Sequence, residues 1–479
     1  MIGRKKEIEE LNRLYNSDKS QLVAVYGRRR VGKTYLIDET FKGRITFRHA
    51  GLSPAQTGQN KKGLIKSQLE NFYHSLLLQG MQKGKCPKSW LEAFFMLEKH
   101  LQETDDGTKQ VVFLDELPWM DTMRSGFLTA FESFWNNWAC HRDNIMVIVC
   151  GSANSWILDK LIDSHGGLYN RVTYEIKLEP FTLSECKEYF SYNNIKLSDY
   201  DIAQSYMILG GIPYYIGYFE QGQSLPQNID RMFFAKNAKL KDEFDRLFDS
   251  VFSSPDAVKK IVKVLNTNKT GLSRDEISRK TNISNGGTLT QYLKALQASD
   301  FIESYVPFGK KKRDEQYKLT DPFCIFWLKF LNGNGSSGNE HFWQENSNSQ
   351  SVTSWRGFAF ENLCFNHIDQ IKKALNISGV TSKQSSWFKK DEDGEGTQVD
   401  LIIDRNDNIV DMCEIKFYSD EFIVSKSYYR TIMNRQAALS EIIPKKKSVH
   451  NILISTYGLK YNEYSGIFAK SISLEDLLL

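Results

Sequence analysis

Three groups of residues carry spacing that could do chemistry. Gly27-Arg28-Arg29-Arg30-Val31-Gly32-Lys33-Thr34 sets two glycines ahead of a lysine and a hydroxyl, a loop whose backbone amides can turn inward around the α- and β-phosphates of a nucleotide. In such a loop Lys33 reaches the β- and γ-phosphates and Thr34 supplies a magnesium ligand. The run Val111-Val112-Phe113-Leu114 ends in Asp115-Glu116; Asp115 suits the magnesium shell, and Glu116 can orient or deprotonate an attacking water. Far downstream, Asp400 and the pair Glu414 and Lys416 combine two carboxylates and an ammonium. Such a set can bind one or two magnesium ions and hold a water beside a scissile phosphate.

Each group needs an element to hold it. Leu22 to Tyr26 before the loop reads as a strand and Tyr35 to Glu39 after it as a helix, while Val111 to Leu114 reads as a buried parallel strand delivering acids to the carboxyl edge of a sheet. A strand from Arg44 to His49 and helices over Lys61 to Gln79 and Ser89 to Gln102 lie between them. The strand Ile145 to Cys150 then leads into Gly151-Ser152-Ala153-Asn154. With a strand inserted between the two motifs, Ser152 or Asn154 can sense the γ-phosphate or simply cap the next helix. Arg171, ahead of a strand over Val172 to Leu178, fits an arginine finger or a surface ion pair. Phe181 to about Asp249 is mostly helical and is broken at Gly210-Gly211-Ile212-Pro213, as a helical lid would be.

Residues 1 to about 250 resemble the archaeal and bacterial ATPase family placed near the STAND and AAA+ classes. The resemblance rests on Gly3-Arg4, the Gly27 to Thr34 loop, Asp115-Glu116-Leu117-Pro118-Trp119, Gly151-Ser152 and Gly210-Gly211-Ile212-Pro213. It implies that Gly3 and Arg4 lie beside the adenine ring and that Gly211 and Pro213 lie against the nucleotide. Where many relatives read Pro-Leu-Tyr-Gly-Arg, this chain has Gly167-Leu168-Tyr169-Asn170-Arg171, so the arginine is kept on a different turn.

From Asp256 the pattern becomes that of a winged helix-turn-helix. Val258, Ile261, Val262 and Leu265 mark one helix, Ser273 caps a second, and Thr288 to Ala298 turns Leu289, Leu293 and Leu296 inward. Gln291 and Lys294 face outward, and two short strands flank the basic tip Lys310-Lys311-Lys312-Arg313, so the third helix can enter a major groove while the wing neutralises phosphates. The same fold also serves as a spacer or protein-docking module.

Asn332 to Asn339, with polar sequence up to Ser351, reads as a linker. Beyond it, a helix from Trp355 carries Glu361, and the strands of Asp400 and Glu414 become hairpin neighbours through Asn406-Asp407-Asn408. Period-two alternation sets Glu414 and Lys416 on one face. With a helix over Tyr428 to Ile442 and a strand over Val449 to Ser455, the order resembles the PD-(D/E)XK nuclease superfamily. That resemblance implies Asp400 and Glu414 as metal ligands, Glu361 as their helper, and Lys416 as the stabiliser of the water or transition state.

The expected architecture is α/β: a P-loop parallel-sheet ATPase core over 1–180, a helical lid over 181–250, a winged helix-turn-helix over 251–331, a linker over 332–351, and a restriction-endonuclease-like domain over 352–479. The formal charge of +4 among 62 basic and 58 acidic side chains is too small to imply a nucleic-acid partner by itself, so any basic patch must be local. Seven cysteines without a C-x-x-C pair exclude the usual zinc spacing and fit reduced thiols in a cytoplasmic protein. No apolar run is long enough to span a membrane. The expected activity is ATP hydrolysis with magnesium, coupled to DNA contact and a metal-dependent nuclease, with a protein partner also open. The rival expectation is a STAND-type switch whose last domain binds nucleic acid or protein without cutting, and a third is a scaffold holding unhydrolysed nucleotide.

Overall fold

The computed structural model describes residues 1–53, 61–163, 167–168, 170–333, 338–389 and 396–479. Tyr169 of the turn before Arg171 and residues 334–337 of the expected linker lie outside them. The chain forms two compact units: Met1–Pro180 with Asp245–Pro255 and Lys294–Asp300, and Phe181–Phe244 with Asp256–Leu293 and Phe301–Leu479.

The first unit is built on a five-stranded sheet, β1 (Gln21–Tyr26), β2 (Ile45–Ala50), β3 (Gln110–Asp115), β4 (Ile145–Cys150) and β5 (Tyr174–Lys177), in the order β2-β3-β4-β1-β5. Every pairing is parallel, as expected of continuous apolar strands buried on both faces. β4 separates β1 from β3, so the loops after β1, β3 and β4 emerge together at the carboxyl edge. The helices Lys61–Leu78, Trp90–Glu103 and Phe127–Asn137 cover one face with Phe72, Trp90, Phe94, Phe131 and Phe134, packed against Leu22, Val112 and Val147. Ser89 caps the second of these by accepting the Glu92 amide at 3.3 Å.

Among the described residues the second unit holds most of the helices that follow Phe181 and three sheets. β6 (Leu272–Ser273), β7 (Ile302–Tyr305) and β8 (Gln316–Leu319) form an antiparallel sheet in the order β6-β8-β7. Ser273 caps the helix Arg274–Thr281 in a reciprocal box with Glu276. The second sheet runs β15-β13-β11-β10-β9, from β9 (Ser382–Lys389), β10 (Thr397–Arg405), β11 (Ile409–Lys416), β13 (Ser448–Ser455) and β15 (Lys470–Ile472); β12 (Phe422–Ile423) and β14 (Leu459–Lys460) pair separately. β9, β10 and β11 are antiparallel neighbours, while β11, β13 and β15 are parallel.

One expectation is corrected. The stretch read as a linker is partly folded: Phe342–Asn346 is a short helix, and Trp343, 1 % exposed, packs edge-on to Phe326, Phe330 and Trp355 at centroid distances of 5.1, 5.2 and 5.7 Å. The buried Asp230 carboxylate accepts the amides of Trp343 at 2.6 Å and Gln344 at 3.1 Å, which polar composition alone did not reveal. Lys294 is exposed, as its outward position on the helix implies, and is ion-paired with Asp159.

Candidate functional site

The phosphate loop is shaped by its glycines. Gly27 has φ +139°, and a Cβ there would fall 2.3 Å from the Leu178 carbonyl oxygen; its amide donates to Asn154 Oδ1 at 3.0 Å. Gly32, at φ +93°, opens the helix Lys33–Thr40, and Arg30 between them is also left-handed, at φ +74°. Arg28 is buried, and the Arg29 guanidinium lies over the Trp119 ring, 6.0 Å from its centroid. The buried Arg4 donates to the Val31 carbonyl at 3.2 Å, so the Gly3-Arg4 turn is tied directly to the loop.

Lys33 folds its ammonium back onto the carbonyls of Gly27 and Arg28 at 2.8 and 3.1 Å. Burial lowers its pKa, with Cys150, Glu116 and Asp115 acting against that shift. The Thr34 hydroxyl donates to Asp115 Oδ2 at 2.9 Å. Two hard oxygens from opposite motifs therefore meet beside the loop, a donor set that fits magnesium. Glu116 sits in a left-handed conformation, φ +47°, and its carboxylate accepts the Ser152 amide at 3.1 Å and the Ser152 hydroxyl at 3.0 Å. Burial raises its pKa and Lys33 partly offsets the rise.

Ser152 is thus engaged with Glu116, whereas Asn154 joins Gly27 to the Ala298 carbonyl, to which its Nδ2 donates at 2.8 Å. Arg171 is exposed. In the second unit Gly211, at φ +64°, accepts the Phe181 amide through its carbonyl at 2.8 Å, and a Cβ there would lie 2.2 Å from the Phe181 carbonyl oxygen. Pro213 opens the short helix Pro213–Ile216.

The second chemical cluster lies on β10 and β11. Asp400 sits where β10 slips register against β9 between Val399 and Ile402; such a bulge re-aims a side chain. The pairing of Leu401 with Cys413 sets Asp400 and Glu414 one step further along their strands. Glu414 is buried, ion-paired to Lys416 and to Arg435 at 2.6 Å each, and accepts the Tyr428 hydroxyl. Burial alone would raise its pKa, but Lys416 and then Arg435 bring it below the ordinary value. Burial first, and then Glu414, push Asp400 up to about 6; burial and Asp400 push Glu361 up to about 7.

Asp400 thus feels Glu414, and Glu361 feels Asp400, an accumulation of negative charge that suits a cation. Even so, among the described residues no group of three His, Cys, Asp or Glu side chains gathers to hold a metal, and Glu361, the expected helper, does not join Asp400 and Glu414 in one. Gln291 and Lys310 to Arg313 are all exposed.

Sequence reasoning missed Tyr428, Arg435 and Lys318. The first two are seven residues apart on the helix Lys426–Ser440, two turns on one face, a signal that could have found them. Lys318, on β8, lies over the rings of Phe358 and Phe365 at 5.3 and 5.1 Å and interacts with Glu361 and Asp400; nothing in its local sequence points to that placement.

Residues 1–219 match an ATPase domain found predominantly in Archaea. This segment is therefore similar to that ATPase domain, over a little under half of the chain. Across most of its length the chain is similar to an uncharacterised protein of Methanocaldococcus jannaschii, 24% identical over 441 residues that cover 91% of each. A stretch of 36 residues is 56% identical to an uncharacterised ATP-binding protein of the same organism, covering 8% of this chain and 61% of that one. Among solved structures, the Walker-type ATPase of Pyrococcus abyssi covers 69% of this chain and 96% of its own at 19% identity and a TM-score of 0.47. The ORC2 protein of Aeropyrum pernix covers 69% and 94% at 13% identity and a TM-score of 0.38. Among the described residues no helix is long and apolar enough to cross a membrane.

Proposed function

We propose that the ATPase domain hydrolyses ATP with Lys33 on the β- and γ-phosphates, Thr34 and Asp115 holding magnesium, and Glu116 orienting the water. The observation that carries this reading is the 2.9 Å hydrogen bond of Thr34 to Asp115, beside a lysine whose ammonium rests on loop carbonyls. Magnesium would supply charge neutralisation at the phosphates. Lys33 would exchange those carbonyls for phosphate oxygens, and Glu116 would leave Ser152 to face the water. Gly3, Arg4, Gly211 and Pro213 are assigned to the nucleotide by resemblance, and Arg171 is the candidate finger. Glu116→Gln should retain ATP and lose turnover; undiminished turnover in that variant would remove Glu116 from the mechanism.

The same proposal gives the second unit a nucleic-acid partner, contacted through Gln291 and the exposed tip Lys310 to Arg313, with Asp400, Glu414 and Lys416 as a phosphodiester-cleaving centre. The raised pKa values of Asp400 and Glu361 support a site that a divalent cation would relieve. A second reading, binding without cleavage, is favoured by the three side chains that already occupy Glu414. Incubation with supercoiled, linear and single-stranded DNA, magnesium or manganese, and the Asp400→Ala control separates them. Cleavage that disappears in the control supports the nuclease, and no cleavage of any substrate supports the switch.

A further inference from the structure

A cavity of about 480 Å³ opens in the second unit beside the first turns of the helix Gln350–Asn366, lined by Lys269, Lys329, Gln350, Ser351, Ser354 and Trp355 among others. Its charge is one-sided: beside the apolar Ile325, Trp355 and Phe358, two ammonium groups, hydroxyls and amides line it, and among the described residues no carboxylate does. Lys269 comes from the turn after the helix Pro255–Leu265 and is held over the Phe358 ring at 5.2 Å. Lys329 comes from the helix Pro322–Phe330. Ser349 caps the amide of Val352, while the amides of Gln350 and Ser351 precede any intrahelical acceptor and carry the positive end of the helix dipole. Trp355, 4 % exposed, keeps an indole Nε1 without a hydrogen-bond partner among the described residues.

We infer that this cavity is a phosphate subsite, and that its natural occupant is a backbone phosphate of a nucleic-acid strand that also reaches the Asp400 and Glu414 centre. The inference rests on the nucleic-acid reading above and adds to it a binding site away from the basic tip. Convergent cations, hydroxyls and first-turn amides with no acid in the lining are the chemistry of anion recognition, although Glu361 acts on Lys269 from outside it. Ser354 and Glu361 lie seven residues apart on one helix, about 10 Å of rise, further than one phosphate group spans. An occupant touching both ends must therefore be an oligonucleotide rather than a lone phosphate.

The test uses the full chain. Binding of a fluorescent single-stranded oligonucleotide is followed by anisotropy across a salt series for the wild type, Lys269→Gln, Lys329→Gln, the double variant, and Lys445→Gln with Lys446→Gln as a control away from the cavity. Removing one cation from a backbone phosphate should reduce the slope of log K against log salt by about 0.7, or about 5-fold in affinity near 0.1 M salt, so the double variant should bind about 25-fold more weakly. Ser354→Asp, which adds a carboxylate at an exposed position of the rim and needs no repacking, should weaken binding similarly. If the wild type binds the oligonucleotide and the cavity variants keep its affinity and slope, the subsite is overturned while the nucleic-acid reading stands. If the wild type binds no oligonucleotide, that reading falls with its strand. Pyrophosphate titrated against the Trp355 indole N–H resonance then decides the cavity alone: a shift in the wild type that is absent in the double variant upholds phosphate recognition, and no shift removes it.

Discussion

The amide of Gly27 donates to Oδ1 of Asn154 at 3.0 Å, and Nδ2 of the same fully buried side chain donates to the carbonyl of Ala298 at 2.8 Å. A single amide therefore binds the first residue of the phosphate loop to the last residue of the helix Gly287–Ala298. Asn154→Ala would leave both backbone groups without that partner, at a cost of about 1–3 kcal/mol each where they stay dry. It should lower the melting temperature and weaken ATP binding together. Asn154→Asp keeps the acceptor for Gly27 and removes the donor to Ala298, so it should retain more nucleotide affinity than Asn154→Ala; calorimetric titration with ATP checks the order.

Glu116→Gln keeps the shape of the carboxylate and its bond with Ser152 while removing the base. Steady-state ATP turnover should fall about 10²–10⁴-fold, with nucleotide binding retained in a filter or fluorescence assay. Lys33→Ala should reduce affinity as well as turnover.

Gly27→Ala and Gly211→Ala each drive a Cβ to within 2.3 Å of a carbonyl oxygen at a left-handed backbone position. Each should cost at least about 1–3 kcal/mol. Gly27 belongs to the first unit and Gly211 to the second, and differential scanning calorimetry should show a lowered melting temperature for each variant.

His367 is buried, accepts the Leu183 amide on Nε2 at 2.9 Å and therefore donates from Nδ1 to the Leu363 carbonyl at 2.9 Å. Burial lowers its pKa from the ordinary 6.5 to about 4. The unfolded chain binds this proton below pH 6.5 and the folded one only near pH 4, so the stabilisation is complete above 6.5 and falls as pH drops toward 4. The fall is about 3 kcal/mol in all. Denaturant unfolding of the wild type against His367→Gln between pH 4 and 7 should show a steeper pH slope in the wild type.

Replacing Lys310, Lys311, Lys312 and Arg313 with alanine should weaken binding to duplex DNA and reduce the salt slope by about 0.9 for each phosphate no longer neutralised. These side chains are exposed, so the melting temperature should hold. An unchanged salt slope would take the tip out of the interface.

Local pattern made the first unit readable. Val23 to Val25, Val112 to Leu114 and Met146 to Val149 are unbroken apolar strands, and the acids, glycines, lysine and hydroxyl that follow them sit at fixed offsets, so the pattern alone places Lys33, Thr34 and Asp115 beside one another. The same held for the Asp400 and Glu414 hairpin, whose turn at Asn406-Asp407-Asn408 sets the register. What stayed hidden depends on packing between distant segments. Asn154 offered no hint that its amide would span from Gly27 to Ala298. Lys294 is solvent-facing as helical periodicity predicts, but that periodicity says nothing of its ion partner Asp159, 135 residues earlier. Lys318, Tyr428 and Arg435 reach the acids only through tertiary packing. Trp343 was hidden in a polar stretch, because one indole among polar neighbours leaves no periodic trace.

The clamp between Asp230 and Trp343 also decides how the chain can be dissected. A cut placed at residue 331 would pull the indole out from among Phe326, Phe330 and Trp355 and strip the donors from a carboxylate that is 3 % exposed. A fragment ending there should come out of cells insoluble. Whatever the last third of the chain does, it must be purified, assayed and inherited together with the helices that precede it.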